Sequence, residues 1–208
     1  MTKKTSAPAP LSRRGTNLRA DARRNRAAIV QATVEELRRN PEVSIAEIAA
    51  AAGVGRMTLY GHFSTRVELI EAALIDVLAQ GEETLSKANL EGDAGMALHR
   101  LVDSSWALVD QSRALLSAAQ KELPPGRIRE LHEKAEARVR ALLERGQRQG
   151  VFRTDLPTSW LLATTHVVMH GAADEIAAGR LLPGDAPRFI AATLLAAFAA
   201  GAAAPNVP

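Results

Sequence analysis

The sequence predicts an all-α fold in which an N-terminal three-helix domain, built on a helix-turn-helix motif, precedes a larger C-terminal helical bundle. Three observations lead to this prediction of about nine helices. Aromatic residues make up only 3% of the 208 residues and alanine is abundant, which favours helices over sheets. The chain has no convincing run of period-two alternation. Its apolar residues recur at helical spacing in segments that end at glycine or proline.

The first part of the chain is expected to be an unstructured arm followed by one long helix. Residues 1–19 are basic and contain proline and serine, a composition typical of a disordered segment. A first helix is predicted from near Asp21 to Arg39, with apolar residues at core-facing spacing. Asn40-Pro41 stops it, because the residue before a proline disfavours the helical conformation.

Two short helices joined by a glycine turn come next. Ser44 and Glu47 form a capping-box pattern, so the first short helix starts there. Gly53 ends this helix where a positive φ is wanted, and glycine adopts that conformation without a steric penalty. Leu59 and Phe63 lie four residues apart on the second helix and would anchor it. This is the helix-turn-helix pattern, in which the second helix enters the DNA major groove.

The rest of the chain is predicted to form a helical bundle. A second capping box at Thr65–Glu68 opens a long helix that extends to about Ala88. Pro124-Pro125-Gly126 interrupts the chain later on. The further helices are expected at about Asp93–Val109, Gln111–Leu123, Ile128–Gly150, Thr158–Gly179 and Asp185–Gly201.

Charge is unevenly distributed along the chain. Residues 1–66 carry 12 Lys or Arg against 5 Asp or Glu, whereas the remainder carries 14 against 18. A basic first third joined to a mildly acidic remainder is typical of a nucleic-acid-binding domain attached to a non-binding one. A solvated basic tail would show the same excess. We therefore divide the chain into a basic arm (1–19), a helix-turn-helix domain (20–66) and a domain for ligand binding and dimerisation (67–204).

Several classes of protein are disfavoured by composition. With no cysteine, neither disulfides nor thiolate sites are available, and a reducing compartment is compatible. The N-terminus lacks the apolar segment of a secretory signal. The apolar run Phe189–Ala204 falls short of a membrane span, so we expect a cytoplasmic protein. We find no nucleophile–base set and no glycine-rich phosphate loop, and we expect neither enzymatic activity nor a cofactor.

Local sequence around the motif narrows the function further. The segments Ile48–Val54 and Thr58–Phe63, together with Arg66, resemble the N-terminal domain of the tetracycline-repressor-like (TetR) family of bacterial regulators. The resemblance covers about Arg24–Leu78. It implies a homodimer that binds double-stranded DNA and responds to a small molecule. Without it, the helix-turn-helix pattern would also fit a plain corner between two helices.

The predicted DNA contacts lie on the second helix of the motif and beside it. With Leu59 buried, the opposite face presents side chains to solvent. Arg56 could reach a guanine edge or a phosphate, and the sequence leaves both open. The resemblance implies phosphate contacts for Tyr60, His62 and Arg66, and a position near the groove for Thr58. The predicted DNA-binding residues are Ser44, Arg56, Met57, Thr58, Tyr60, Gly61, His62 and Arg66.

Large apolar residues in the body suggest an effector pocket between helices, although ordinary core packing would use the same residue types. The predicted effector-binding residues are Trp106, Leu131, Trp160, His166, Met169 and His170. His166, His170 and Asp174 also follow one helical stripe, which leaves a metal-binding protein or helical-bundle enzyme as an alternative. We expect no metal.

The last two helices carry many small residues, and two copies of this helix pair could form a four-helix dimer interface. The predicted interface residues are Gly171, Ala172, Ala191, Ala192, Leu195 and Phe198. The alternative is that these residues pack only within one chain. The sequence thus predicts a sequence-specific DNA-binding regulator, a repressor released from a palindromic operator by a small, largely apolar effector. A ligand-free architectural DNA-binding protein is the other alternative.

Overall fold

The computed structural model describes residues 12–124 and 126–201, with side chains from residue 19 onward. Within these ranges the chain forms eight α-helices. Phe152 and Ala199 form an isolated antiparallel β-bridge. The helices are α1 (Ser12–Arg39), α2 (Ile45–Ala51), α3 (Arg56–His62), α4 (Arg66–Lys87), α5 (Ala94–Glu122), α6 (Arg127–Arg148), α7 (Thr158–Ala177) and α8 (Ala186–Phe198). The predicted all-α class is confirmed. No helix in the described ranges is long and apolar enough to cross a membrane.

The predicted break between Val109 and Gln111 is wrong, because α5 runs without interruption from Ala94 to Glu122. The residues at the expected break are polar but include neither glycine nor proline. Ser112 donates its hydroxyl hydrogen to the Val109 carbonyl oxygen at 3.3 Å, inside the helix. The described part of the chain therefore has eight helices rather than about nine.

The first helix also begins earlier than predicted. It starts at Ser12, inside the segment 1–19 that we expected to be disordered. No proline occurs between residues 12 and 40, so the backbone can continue the helix from this point. Residues 1–11 of the predicted arm lie outside the described residues.

Two hydrophobic cores hold the helices together. The first core is formed by α1–α4 together with the C-terminal half of α5, and includes Ile29, Leu59, Phe63 and Leu115. The second core is formed by α5–α8 with the end of α4, and includes Trp106 and Leu143 among its buried residues. The predicted boundary at residue 66 divides the first core, because Leu69 to Val77 of α4 are part of it. Helix α5 contributes to both cores and so links them.

Helix α6 is joined to α4 by ion pairs as well as by apolar contacts. The guanidinium of Arg127 pairs with the carboxylate of Glu71, and Arg138 pairs with Glu82. All four side chains are partly buried. These pairs fix the register of the two helices that form one side of the body.

The end of α8 is fastened to the connector between α6 and α7. The Phe152 and Phe198 rings meet edge to face, with centroids 6.0 Å apart. Gly146 on α6 makes room for Phe152, since a Cβ at Gly146 would lie 2.0 Å from the Phe152 ring. Arg153 N donates to the Phe198 carbonyl oxygen at 2.8 Å. The prediction that Phe198 belongs to a dimer interface is therefore wrong, because its side chain is buried within one chain.

Candidate nucleic-acid interface and cavity

Helix α2 starts at the capping box that the sequence indicated. Glu47 N donates to Ser44 Oγ at 3.3 Å, and Ser44 N donates to Glu47 Oε2 at 2.8 Å. Hydrogen bonds from the hydroxyl and backbone N–H of Ser44 lower the pKa of the Glu47 carboxyl. Gly53 then turns the chain with a φ of 68°, a conformation that other residues adopt at a cost. Ser44 is exposed, and its hydroxyl is engaged in starting the helix.

Helix α3 is anchored by one face and leaves the other in solvent. Leu59 and Phe63 are fully buried, and the Arg26 guanidinium lies 4.8 Å from the centroid of the Phe63 ring. On the opposite side, Met57 is 82% exposed and Tyr60 is 38% exposed. A large apolar side chain such as Met57 forgoes the favourable free energy of burial in that position. This indicates that the face contacts another molecule.

The exposed face of α3 combines a cation, an aromatic ring and open backbone. The Arg56 guanidinium lies 5.8 Å from the centroid of the Tyr60 ring, within the range of a cation–π contact. A Cβ at Gly61 would meet no atom within 4 Å, so internal packing does not require glycine there. We call the set Arg56, Met57, Thr58, Tyr60 and Gly61 the recognition face. His62 lies beside it and is half-buried.

A cavity of about 130 Å³ lies between α4, α5, α6 and α7. Its wall is apolar except for three histidines and three hydroxyl side chains. The lining residues are Leu74, Val77, Leu78, Gly81, Leu85, Leu101, Ser105, Leu108, Val109, Ser112, Leu116, His132, Ala135, Val139, Thr165, His166, Met169 and His170.

The histidines of this cavity form a cluster. The ring centroids of His166 and His170 are 6.5 Å apart, and His132 Nδ1 lies 2.8 Å from the Ile128 carbonyl oxygen. His170 Nδ1 is buried and has no hydrogen-bond partner in the described structure. Burial lowers the pKa of both His166 and His170. Glu136, whose Oε1 lies 4.0 Å from His166 Nδ1, acts in the opposite direction on His166.

The first part of the chain matches a known family. Residues 29–73, from the middle of α1 to the middle of α4, match the profile described as "Bacterial regulatory proteins, tetR family". The chain thus carries a domain of this family over residues 29–73. The match covers α2, the turn and α3 completely, and so includes the recognition face.

Individual relatives agree with the tetR assignment. The HTH-type transcriptional repressor LfrR of Mycolicibacterium smegmatis is 37% identical over 91 residues, which are 41% of this chain and 46% of LfrR. The alignment thus spans less than half of that relative. Among solved structures, LfrR from Mycobacterium smegmatis in complex with proflavine has a TM-score of 0.70 at 22% identity, covering 83% of this chain and 94% of that one.

A second solved structure extends the comparison of the fold. The fatty acid degradation regulator FadR from Bacillus halodurans has a TM-score of 0.68 at 18% identity, covering 82% of this chain and 94% of that one. At this level of identity the likeness concerns the fold. The body as well as the helix-turn-helix domain thus has the architecture of tetR-family regulators.

Arg66 does not belong to the recognition face. Its Nε donates to Glu122 Oε1 at 2.9 Å and its Nη1 donates to the Val43 carbonyl oxygen at 2.7 Å. The half-buried Arg66 guanidinium thus has two protein partners, through which it joins the start of α4 to the end of α5. Its contact with a DNA phosphate stays a prediction.

The predicted effector residues separate into two groups. His166, Met169 and His170 line the cavity. Trp106 is buried in the second core without lining it, and Leu131 lines a separate groove on the outer side of α4 and α6. Trp160 is 60% exposed at the start of α7, so its predicted place in a pocket is wrong. The sequence analysis missed His132, although a histidine on a helix with an apolar stripe could have indicated it.

The metal-binding alternative has no site in this geometry. Among the described residues, no group of three or more His, Asp or Glu side chains is arranged to hold a metal ion. Asp174, the third member of the predicted stripe, is 66% exposed by its side chain and lies 3.6 Å from the Arg113 guanidinium. His166 and His170 belong to the cavity wall instead.

The predicted dimer residues also differ in exposure. Gly171 and Ala192 are exposed, and Ala172 and Leu195 are partly buried. Ala191 is buried in the second core, so it cannot contact a partner chain without rearrangement. Val167 on α7 and Phe189 on α8, which were not predicted, are 71% and 44% exposed. The outer faces of α7 and α8 therefore present apolar and small side chains together.

Proposed function

We propose that this chain is a transcriptional repressor that binds a palindromic operator as a homodimer and is released by a small, largely apolar effector. The observation that carries the proposal is the recognition face, a solvent-exposed side of α3 whose opposite side is anchored by fully buried Leu59 and Phe63. The match of residues 29–73 to the tetR-family profile and the similarity to the repressor LfrR support it. Such a regulator acts in the cytoplasm and needs no catalytic group.

The recognition face can enter a major groove as a unit. Tyr60 and His62 would contact phosphates and set the position of α3, whereas Arg56 and Met57 would approach base edges. The Met57 side chain is apolar and offers contact to a thymine methyl group. Arg56, placed at the first residue of α3, would bind a guanine edge or a phosphate.

The cavity is joined to the DNA-binding end by two helices. Helix α4 follows α3 directly, and its residues Leu74 and Val77 line the cavity while belonging to the first core. Helix α5 passes the cavity and then packs into the first core. An effector that changes the position of α4 or α5 would therefore move α3. Thermodynamic linkage requires that DNA weaken effector binding by the same factor that the effector weakens DNA binding.

Dimerisation through α7 and α8 fits the exposed residues of those helices. Their outer faces combine exposed apolar side chains, Val167 and Phe189, with small residues, Gly171 and Ala192. Small residues allow close approach of helices, and a two-fold axis between two such pairs would give a four-helix interface. The dimer would place two recognition faces toward successive major grooves, about 34–36 Å apart.

The proposal is tested with the full chain and a fluorescent duplex taken from upstream of its own gene. We expect tight, salt-sensitive binding to that duplex and much weaker binding to a scrambled duplex of the same composition. Tyr60→Ala should lose binding, and Ile75→Ala, an exposed apolar change on α4, serves as the matched control. Equal affinity for both duplexes would favour the architectural alternative and contradict the repressor.

A further inference from the structure

Among the described residues that line the cavity, histidine is the titratable side chain. Of the 18 residues that line it, the three histidines His132, His166 and His170 can gain or lose a proton, and none of the others is Asp, Glu, Lys or Arg. The wall is otherwise apolar or hydroxyl-bearing. Any charge that a ligand brings into this space must therefore be balanced by an imidazole.

The hydroxyl groups of the wall are already used as donors. Each donates its hydrogen to a backbone carbonyl of its own helix, at 2.7, 3.3 and 2.9 Å for Ser105, Ser112 and Thr165. Their oxygens can accept a hydrogen bond from a ligand but cannot donate one. The histidines are thus the side chains of the wall that can give a proton to a ligand.

The hydrogen bonds of His132 and His170 show which of their ring nitrogens have a partner. His132 Nδ1 faces the Ile128 carbonyl oxygen at 2.8 Å. Because a carbonyl accepts only, this nitrogen carries the proton, and the neutral ring has its lone pair on Nε2. His170 Nδ1 is buried without a partner, a state that costs free energy until a ligand or water satisfies it. His132 thus offers an acceptor nitrogen, and His170 has one buried nitrogen without a partner in the described structure.

These features discriminate between ligand charges. A cation would leave water for a largely apolar wall whose lining residues include no carboxylate, which is unfavourable because its charge stays unbalanced. The charge of a carboxylate can be neutralised in the cavity, because one imidazole can hold a proton. The result is a carboxylate–imidazolium pair of zero net charge. The cavity, at about 130 Å³, resembles in size the cavities of about 150 Å³ that hold one benzene ring.

We propose that the effector is a small apolar carboxylic acid of about the size of benzoate, and that its anion binds together with one proton taken up by the histidine cluster. The word effector rests on the proposed function, whereas the binding chemistry does not. Since a carboxylic acid is ionised near neutral pH, the balance is one anion and one proton entering the cavity together. No bond other than that to the proton is made or broken.

Charged groups behind the cavity wall bear on where the proton is held. Glu136 of α6 lies 4.0 Å from His166 and favours the imidazolium form. Asp174 of α7, one turn beyond His170, is paired with Arg113 of α5. On α4 the carboxylate of Glu82 is paired with Arg138. Both His166 and His170 thus have a nearby carboxylate that favours the imidazolium form, and His170 also has a buried nitrogen without a partner in the described structure.

The test uses three probes of one shape and different charge: benzoate, benzamide and the benzamidinium cation. Isothermal titration calorimetry of the full chain at about pH 7.5 should show saturable binding of benzoate, binding of benzamide weaker by at least about tenfold, and no binding of benzamidinium. Titration in two buffers of different ionisation enthalpy should show uptake of about one proton with benzoate. Benzamidinium that binds as tightly as benzoate would overturn the proposal, and so would benzoate that does not bind.

Variants identify the proton acceptors. His166→Gln and His170→Gln, separately and together, should reduce the proton uptake and weaken benzoate by about tenfold or more. His99→Gln is the matched control, because His99 is an exposed histidine of α5 paired with Asp103 outside the cavity. Circular dichroism confirms that each variant is folded. Unchanged proton uptake in the double variant would overturn the assignment.

Operator binding measured in the same samples separates this inference from the proposed function. Tight operator binding without selectivity for benzoate would leave the repressor proposal intact and overturn the carboxylate class. Benzoate binding with proton uptake but no affinity for any duplex would do the reverse.

Discussion

Arg66, the first residue of α4, donates from Nε to the carboxylate of Glu122 in the last turn of α5, at 2.9 Å. Its second hydrogen bond goes to the Val43 carbonyl oxygen, just before α2. One side chain thereby joins the beginning of α2, the beginning of α4 and the end of α5. A shift of α5 at the cavity would therefore displace the start of the helix-turn-helix motif through this contact.

Arg66→Ala should lower the free energy of unfolding by about 1–3 kcal/mol, because the partly buried Glu122 carboxylate and Val43 carbonyl lose their partner. If Arg66 makes no phosphate contact, the salt dependence of operator affinity should stay unchanged. Urea unfolding and fluorescence anisotropy at several salt concentrations measure the two quantities. A salt slope reduced by about one would instead identify Arg66 as a phosphate ligand.

Substitutions on the recognition face should distinguish residues that position α3 on the DNA backbone from residues that select the base sequence. If about six phosphates are contacted, affinity for the operator falls by about 10³-fold between about 50 and 200 mM salt. Tyr60→Phe, which removes a phosphate-binding hydroxyl, should weaken all duplexes alike. Arg56→Ala should cost about 1–3 kcal/mol and relax preference at one base pair if Arg56 reads a base. Competition with single-base variants of the operator shows which of the two holds for Arg56.

Gly171→Arg and Ala192→Arg should each give a monomer that loses operator affinity, because a long cation replaces a small residue on the proposed four-helix interface. Ala107→Arg, an exposed position on α5, is the control and should leave the mass unchanged. Light scattering after size exclusion gives the mass. Dimers in both α7 and α8 variants would place the interface elsewhere.

Gly146→Ala should destabilise the body by about 1–3 kcal/mol, because the added methyl group would overlap the buried Phe152 ring. Gly61→Ala, in α3, is the matched change, because its Cβ meets no atom within 4 Å. In a helix this exchange stabilises by up to about 1 kcal/mol. Thermal unfolding of the two variants should therefore shift in opposite directions, and equal shifts would contradict the packing described here.

Stability should decrease as the pH is lowered through the range of histidine titration. The pKa values of His166 and His170 are lowered in the folded chain by burial, so the unfolded chain binds more protons between the folded value and about 6.5. The free energy of unfolding falls in that window and levels off below the folded pKa. His166→Gln with His170→Gln should flatten this part of the pH profile, whereas His99→Gln should leave it steep. Denaturant melts across this pH range provide the measurement.

The elements predicted best from sequence are those whose signals are local. The Ser44–Glu47 capping box and the turn at Gly53 depend on neighbours within a few residues, and both occur as predicted. The partner of Arg66 is 56 residues away along the chain, so no nearby pattern could show that this guanidinium has a protein partner. Trp160 was assigned to a pocket by its size alone, although its exposure depends on which side of α7 faces α5 and α6.

Which small residues are buried could likewise not be predicted from the sequence. Ala191 and Ala192 are adjacent alanines with the same local propensity, yet one lies in the core and the other faces solvent. The helical period alone fixes their relative direction but not which of them faces inward. In the structure Ile190, Leu194 and Phe198 of α8 are buried, and Ala191 lies on the same side.

The Glu71–Arg127 and Glu82–Arg138 ion pairs between α4 and α6 have a mechanical consequence. Glu71 and Glu82 are separated by eleven residues, as are Arg127 and Arg138, and eleven residues are close to three full turns of an α-helix. Both pairs therefore sit on the same stripe at the same stagger, and any sliding of α6 along α4 separates them at the same moment. Sliding by less than a full turn would break both ion pairs, so we expect α4 and α6 to move together. A ligand that widens the cavity must either displace α5 and α7 or carry α4 and α6 together, and in the second case α3 turns with them.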